Sequence, residues 1–165
     1  GTQYIDGRDG RFTTVVASQS YNVVLGRLIG ATPDGRRAYE DLADNASPMI
    51  GMDRNGPTAV VCSVAALDPL IPQSGILLNQ RFDPAIVKGD KGLDILETVI
   101  RTYFMKHGQH IQINVVDTDT LLAAQENPQD YRNILVRVAG YSAYFVDLEK
   151  DIQDNIIART VQTSL

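Results

Sequence analysis

Apolar residues recur along this chain at two periods, and the switches between them mark the elements. In "GDKGLDILETVIRTYFMKHG", residues 89 to 108, Leu93, Leu96, Ile100, Tyr103 and Phe104 follow one another at spacings of three and four. That spacing puts them on one side of a helix, and Gly108 stands where a helix C-terminus takes a left-handed residue. The period then drops to two. In "HIQINVVD", Ile111, Ile113 and Val115 alternate with Gln112 and Asn114, which predicts a strand with one polar face. "DTDTLLAAQENP" reads as a second helix, capped by Asp or Thr and stopped by Asn127 and Pro128.

Upstream, "TAVVCSVAALD" predicts a helix entered through Pro57 and closed by "DPLIPQSG", and "GILLNQRF" predicts a strand. Downstream, "NILVRVAGYSAYFVDL" reads as strand around a single glycine, and a last helix is expected from Glu149 to Thr160 with Leu148, Ile152 and Ile156 on one face. Residues 1–57 are punctuated by turn chemistry: "DGRDGR", "GATPDGRR", "ASPMIG" and "DRNGP". Between those turns, "FTTVVASQSYNVVLGRLIG" can supply a short strand and a short helix, and its periodicity does not decide which. The expected fold is mixed α+β. It divides into a loop-rich part (1–57), a helix and strand core (58–135), a glycine loop (136–143) and a C-terminal strand and helix (144–162).

A chain of 165 residues suits one compact domain. About a third of it is predicted loop, and long structureless loops in a compact domain usually have a function or an absent neighbour. The net charge of −5, with 15 basic residues scattered along the chain, leaves no basic stripe for a phosphate backbone, so nucleic acid is not an expected partner. One cysteine, Cys62, rules out an internal disulfide and any all-cysteine metal site, which fits a reducing cytoplasm. Neither a membrane span nor a signal peptide is expected, since no apolar run reaches the necessary length.

Candidate chemistry is sparse. His107 and His110 flank a glycine with no third ligand at suitable spacing, so a structural role is expected and no metal site is assigned. Asp117 and Asp119 resemble the start of a calcium loop but lack its later glycine and glutamate, and a helix cap explains them. Cys62 lies inside a predicted helix and reads as a buried structural thiol. Gly140, in "RVAGYSA", has two readings. It can serve a turn or bulge that needs a residue without Cβ. Alternatively its Cα, bearing no side chain, can lose a hydrogen atom and flatten between an amide nitrogen and a carbonyl, with the unpaired electron shared by both.

"RVAGYSA" closely resembles the signature of the glycyl radical enzymes, the family of pyruvate formate-lyase, the radical diol dehydratases and choline lyase. "GATPDGRRA", "NGPTAVV", "GILLNQRF", "IRTYFMKHGQHIQINVVD" and "YFVDLEKDIQDNIIART" resemble the final segment of that family in the same order, so the resemblance covers essentially the whole chain. It is nearer to the dehydratase branch. The resemblance implies one side of a larger α/β barrel, with a few strands, outer helices and Gly140 on a hairpin loop. It also implies a radical at Gly140, installed by an S-adenosylmethionine-dependent activase and passed to a cysteine thiol on a loop that nothing in this chain matches. Cys62 does not occupy that motif.

Several consequences follow from the resemblance. The chain is expected to bear the radical with no bound cofactor, and to need a larger cysteine-bearing partner chain to break a C–O or C–N bond of a small hydroxylated substrate. Arg137, Val138, Ala139, Tyr141 and Ser142 are expected to hold the radical loop, and Val16, Ala17 and Ser18 to border the substrate cavity. A non-catalytic spare-part or docking module, which restores or binds such an enzyme, is the alternative.

Overall fold

The computed structural model describes residues 4–68 and 70–164. In chain order the elements are α1 (Tyr21–Gly26), α2 (Gly56–Ala65), β1 (Leu78–Phe82), α3 (Gly89–Met105), β2 (Ile111–Val115), α4 (Thr118–Glu126), β3 (Leu135–Arg137), β4 (Ser142–Tyr144), a 3-10 turn (Phe145–Asp147), α5 (Lys150–Ala158) and β5 (Val161–Gln162). A parallel sheet of order β2-β1-β5 forms the centre, and β3 and β4 form a separate antiparallel hairpin.

The register of the sheet decides everything that follows. β1 and β2 pair Leu78 with Ile111, Asn79 with Gln112, Gln80 with Ile113, Arg81 with Asn114 and Phe82 with Val115. Because successive side chains point to opposite faces, Asn79, Arg81, Gln112 and Asn114 share one face. Leu78 and Phe82 stand on the other, in a core with Val60, Val61 and Val64 of α2 and Val99 and Tyr103 of α3. A second core, on the polar side, joins Leu121 and Ala124 of α4, Val136 and Val138 around β3, Phe145, and Ile156 of α5. Two layers of helix thus enclose a sheet with one apolar and one polar buried face.

The predicted helices are present, and so are the strands from residue 78 onward, but the short strand expected within "FTTVVASQSYNVVLGRLIG" is not: that stretch holds α1 and an isolated bridge between Val16 and Ile76. The run around Gly140 is two strands of three residues each, and the chain turns into a 3-10 segment at Phe145. The last helix stops at Ala158, and Val161 and Gln162 then pair in parallel with Arg81 and Phe82, a strand too short to carry a period. At the end of α3 the left-handed residue is His107, at φ 67°, and not Gly108. The amides of His107 and Gly108 bond back to the carbonyls of Phe104 and Tyr103 at 3.0 and 2.9 Å, a Schellman closure with histidine at the left-handed position. Gly108 is required for space instead: a Cβ there would lie 2.4 Å from the Tyr103 ring. Asp117 caps α4 through the Thr120 amide, as the sequence predicts.

Candidate functional site

β3 and β4 pair Leu135 with Tyr144, Val136 with Ala143 and Arg137 with Ser142. The Val138 amide donates to the Tyr141 carbonyl at 2.9 Å, leaving Ala139 and Gly140 as the two-residue tip. Gly140 has φ 87°, a backbone that L side chains rarely adopt, and a Cβ would stand 3.2 Å from Leu77 Cδ1. Val138 and Ala139 are fully buried whereas Gly140 is exposed, so the loop is anchored up to the glycine and presents it outward.

The anchoring comes from the polar face of the sheet. Asn114 behaves as a substitute peptide group: its Oδ1 accepts the Arg137 amide at 2.8 Å and its Nδ2 donates to the Arg137 carbonyl at 2.9 Å. Gln112 Oε1 accepts the Gly140 amide at 3.3 Å. The Val138 carbonyl, free of the hairpin's own bonding, accepts from Asn79 Nδ2 at 3.2 Å and from an Arg159 guanidinium nitrogen at 2.9 Å. Each side chain occupies a place where a continuous sheet would put backbone.

Asp44 draws these groups together. It accepts from Asn79 Nδ2 at 2.6 Å and pairs with Arg159 at 3.2 Å, with side-chain exposures of 7% for Asp44 and 12% for Arg159. Burial pushes the pKa of Arg159 down while Asp44 opposes that shift. A cavity of about 30 Å³ lies among Asp44, Asn79, Asn114 and Arg159, with Leu42, Ile50 and Val60 also on its wall. Arg81, fully buried on the same face, donates to the Val116, Ile156 and Ile157 carbonyls and to Thr118 Oγ1, so it ties β2 and α4 to the end of α5. Burial also lowers the Arg81 pKa.

The other residues expected at the site are distributed unevenly. Arg137 donates to Ser142 Oγ at 2.7 Å across the hairpin, rather than reaching a carboxylate or carbonyl with its side chain. Tyr141 OH lies 3.0 Å from Ser20 Oγ, which joins the hairpin to the segment before α1. There Gln19 and Ser20 both hold positive φ, 46° and 73°. Ala17 and Ser18 line an open recess with Tyr21, Asn22 and Leu25. Val16 is bonded instead through its backbone to Gly75 and Leu77. Cys62 is half-buried in α2, not fully buried, and α2 packs on the apolar face, across the sheet from the hairpin. The functional set missing from the sequence reading is Asp44, Asn79, Gln112, Asn114 and Arg159; its signal was the polar run "NQR" inside a strand and the polar face of "HIQINVVD".

The family described as "Glycine radical" matches residues 42–146. The chain belongs to the glycyl radical family. It is 46% identical over 154 residues, 93% of its length, to a trans-4-hydroxy-L-proline dehydratase of Clostridioides difficile. It is 47% identical over 141 residues, 84% of its length, to an isethionate sulfite-lyase of Bilophila wadsworthia. Its structure superposes on the glycerol-bound B12-independent glycerol dehydratase of Clostridium butyricum with a TM-score of 0.94 and 49% identity, over 99% of this chain. It covers 19%, 17% and 21% of those three proteins respectively, so it spans about a fifth of their length. No helix among the described residues is long and apolar enough to cross a membrane.

Proposed function

We propose that this chain stores a radical on the Cα of Gly140 and supplies it to a larger, cysteine-bearing part of a glycyl radical enzyme of the dehydratase or lyase type. The observation that carries this reading is the exposed, positive-φ Gly140 at the tip of a hairpin whose flanking Val138 and Ala139 are fully buried. Arg137, Tyr141 and Ser142 support the loop through the contacts described above. The relatives' span, about five times this chain, leaves room for the barrel that would cover Gly140 and carry the thiol.

The chemistry proceeds by hydrogen-atom transfers. An activase passes one electron from a reductant to S-adenosylmethionine, whose C–S bond breaks to methionine and a carbon radical, and one Cα–H bond of Gly140 then breaks homolytically, its hydrogen atom closing a C–H bond on that carbon. The Gly140 radical next takes the hydrogen atom of a cysteine thiol, which leaves a thiyl radical. The thiyl radical removes hydrogen from a hydroxyl-bearing carbon of the substrate, and the neighbouring group departs as water or an amine with the help of a general base. The product radical takes the hydrogen atom back from the thiol, and the thiyl radical so re-formed takes one from the Gly140 Cα, which returns the radical to the glycine. The base and thiol belong to the larger part. The recess at Ala17 and Ser18, joined to the hairpin through Tyr141 and Ser20, borders the substrate cavity in this reading, with Val16 behind it. A reducing, oxygen-poor cytoplasm suits such a radical.

The test is anaerobic incubation of the assembled enzyme with activase, S-adenosylmethionine and reductant, followed by electron paramagnetic resonance. A doublet from a single α-hydrogen is expected, and Gly140→Ala abolishes it. A doublet that survives Gly140→Ala moves the radical elsewhere. An assembled complex with no doublet favours the docking module, a reading supported by the second core, which packs one side of the hairpin through Val136 and Val138 without help from any other chain.

A further inference from the structure

The conformation of Gly140 conflicts with the electronic demand on it. A radical at Cα is shared with the amide nitrogen only when the carbon's p orbital lies parallel to the nitrogen's, which requires a φ near 0° or 180°. Gly140 sits at φ 87°, almost perpendicular, where that overlap nearly vanishes. The N–Cα bond must therefore turn by about a quarter revolution before the spin reaches the nitrogen, and the N–H swings with it. Glycine alone crosses that range without a Cβ barrier.

A backbone carbonyl could not follow such a swing, because a strand's acceptors are fixed by its own ladder. The Gly140 amide is held instead by a side chain, Gln112 Oε1 at 3.3 Å, at the end of three rotatable bonds. The other hairpin amides lack this freedom: Arg137 is held by the short Asn114 side chain, and Val138 by Tyr141 within the hairpin itself. Gln112 is 4% exposed and rises from β2, whose pairing with β1 fixes its base. In an enclosed site an N–H that loses its acceptor is costly, so a compliant acceptor favours the turned state.

Resting on the reading of Gly140 as the radical carbon, we propose that Gln112 is a positioning residue whose carboxamide oxygen follows the Gly140 N–H as the radical flattens, and so lets the spin spread onto nitrogen. The experiment uses the complete enzyme with 15N-labelled glycine, activated anaerobically, and reads three quantities: the 15N coupling, the α-hydrogen splitting and the decay of the doublet under argon. The wild-type doublet should carry a resolved 15N coupling. Gln112→Leu should at least roughly halve that coupling, widen the hydrogen splitting and hasten decay about fivefold, the effect of one hydrogen bond. Gln112→Glu, which keeps an acceptor oxygen at the same reach, should restore the wild-type pattern. Gln112→Met, unbranched and without a strong acceptor, repeats the measurement should the leucine variant fail to fold.

Asn114→Ala separates positioning from general loosening. It releases Arg137 but not the Gly140 amide, and should leave the 15N coupling unchanged. The proposal is overturned if Gln112→Leu and Gln112→Met match the wild type, or if Asn114→Ala shifts the coupling as much as they do. A wild-type enzyme with no doublet sinks the earlier reading of Gly140 instead.

Discussion

β1 and the β3–β4 hairpin are both short and both bordered by β2, yet β1 is buried on both faces and the hairpin on one, and they are held in opposite ways. β1 is locked by backbone ladders on both edges, through five register pairs with β2 and two with β5, and none of its residues is exposed. The hairpin has three pairs of its own, and its bonds to the rest of the molecule run through Asn79, Gln112 and Asn114 of the sheet and Arg159 at the end of α5. Ladder bonds fix a strand because both partners are part of stiff backbone. Side-chain bonds satisfy the same groups but can lengthen, turn or release one at a time. The molecule thus offers a rigid platform and a compliant tip, which is the combination a backbone radical needs: a fixed position for the loop and rotational freedom at one carbon.

The comparison is most severely tested at the Asp44–Arg159 pair, which anchors the hairpin to the loop before α2 and to the end of α5. Arg159→Leu leaves Asp44 buried without its counter-charge and should cost about 3–5 kcal/mol, read from thermal or denaturant unfolding. The hairpin amides should lose hydrogen-exchange protection before those of β1. The double variant Asp44→Leu/Arg159→Leu should recover much of the loss, since an apolar pair avoids the desolvation cost. Equal loosening of β1 and the hairpin in the single variant would show that they form one unit.

Asn114→Ala comes next in size. It deletes two hydrogen bonds to Arg137 and leaves two partly buried backbone groups without those partners, for about 2 kcal/mol in all. Its signature is local: exchange at Arg137 and Val138 accelerates while β1 and β2 keep their protection. Asn114→Asp retains the acceptor for the Arg137 amide and should lose roughly half as much.

How far this division was legible in the sequence depended on which interactions were local. The helix α3 was plain from the three-and-four spacing of Leu93 to Phe104, but the face it buries is shifted: Val99 and Tyr103 enter the core with Ile95 and Leu96 beside them, while Leu93 and Phe104 are exposed. The alternation of β2 was equally plain, but period two shows only that two faces differ. It does not say which one meets water. Gln112 and Asn114 are the more buried face because a hairpin more than twenty residues later brings its backbone to them. β5 escaped notice for the same reason, its existence depending on β1 eighty residues earlier. Gly140 was a turn glycine by local chemistry and a radical carbon only by its resemblance to a family. The geometry adds what neither supplied, a perpendicular φ and a flexible acceptor for its amide.

The smallest effect belongs to the junction of the two regions. Asp117 follows β2 and caps α4, whose Leu121 and Ala124 pack beneath the hairpin beside Val136 and Val138. Its carboxylate accepts the Thr120 amide at 2.6 Å and the Thr120 hydroxyl at 2.8 Å, and these bonds hold its pKa below the ordinary carboxylate value. Asp117→Ala should cost about 1 kcal/mol at neutral pH. A depressed carboxylate contributes stability that is present above its unfolded pKa, near 3.9, and lost as the pH falls through the lower folded value. The wild type and Asp117→Ala should therefore differ at pH 7 and converge as the pH drops below about 4. Because the cap serves the wall shared by platform and tip, protection should fall equally in β1 and in the hairpin. A loss confined to the hairpin would place α4 with the tip, and the boundary between rigid and compliant parts would then run between β2 and α4 rather than along the polar face of the sheet.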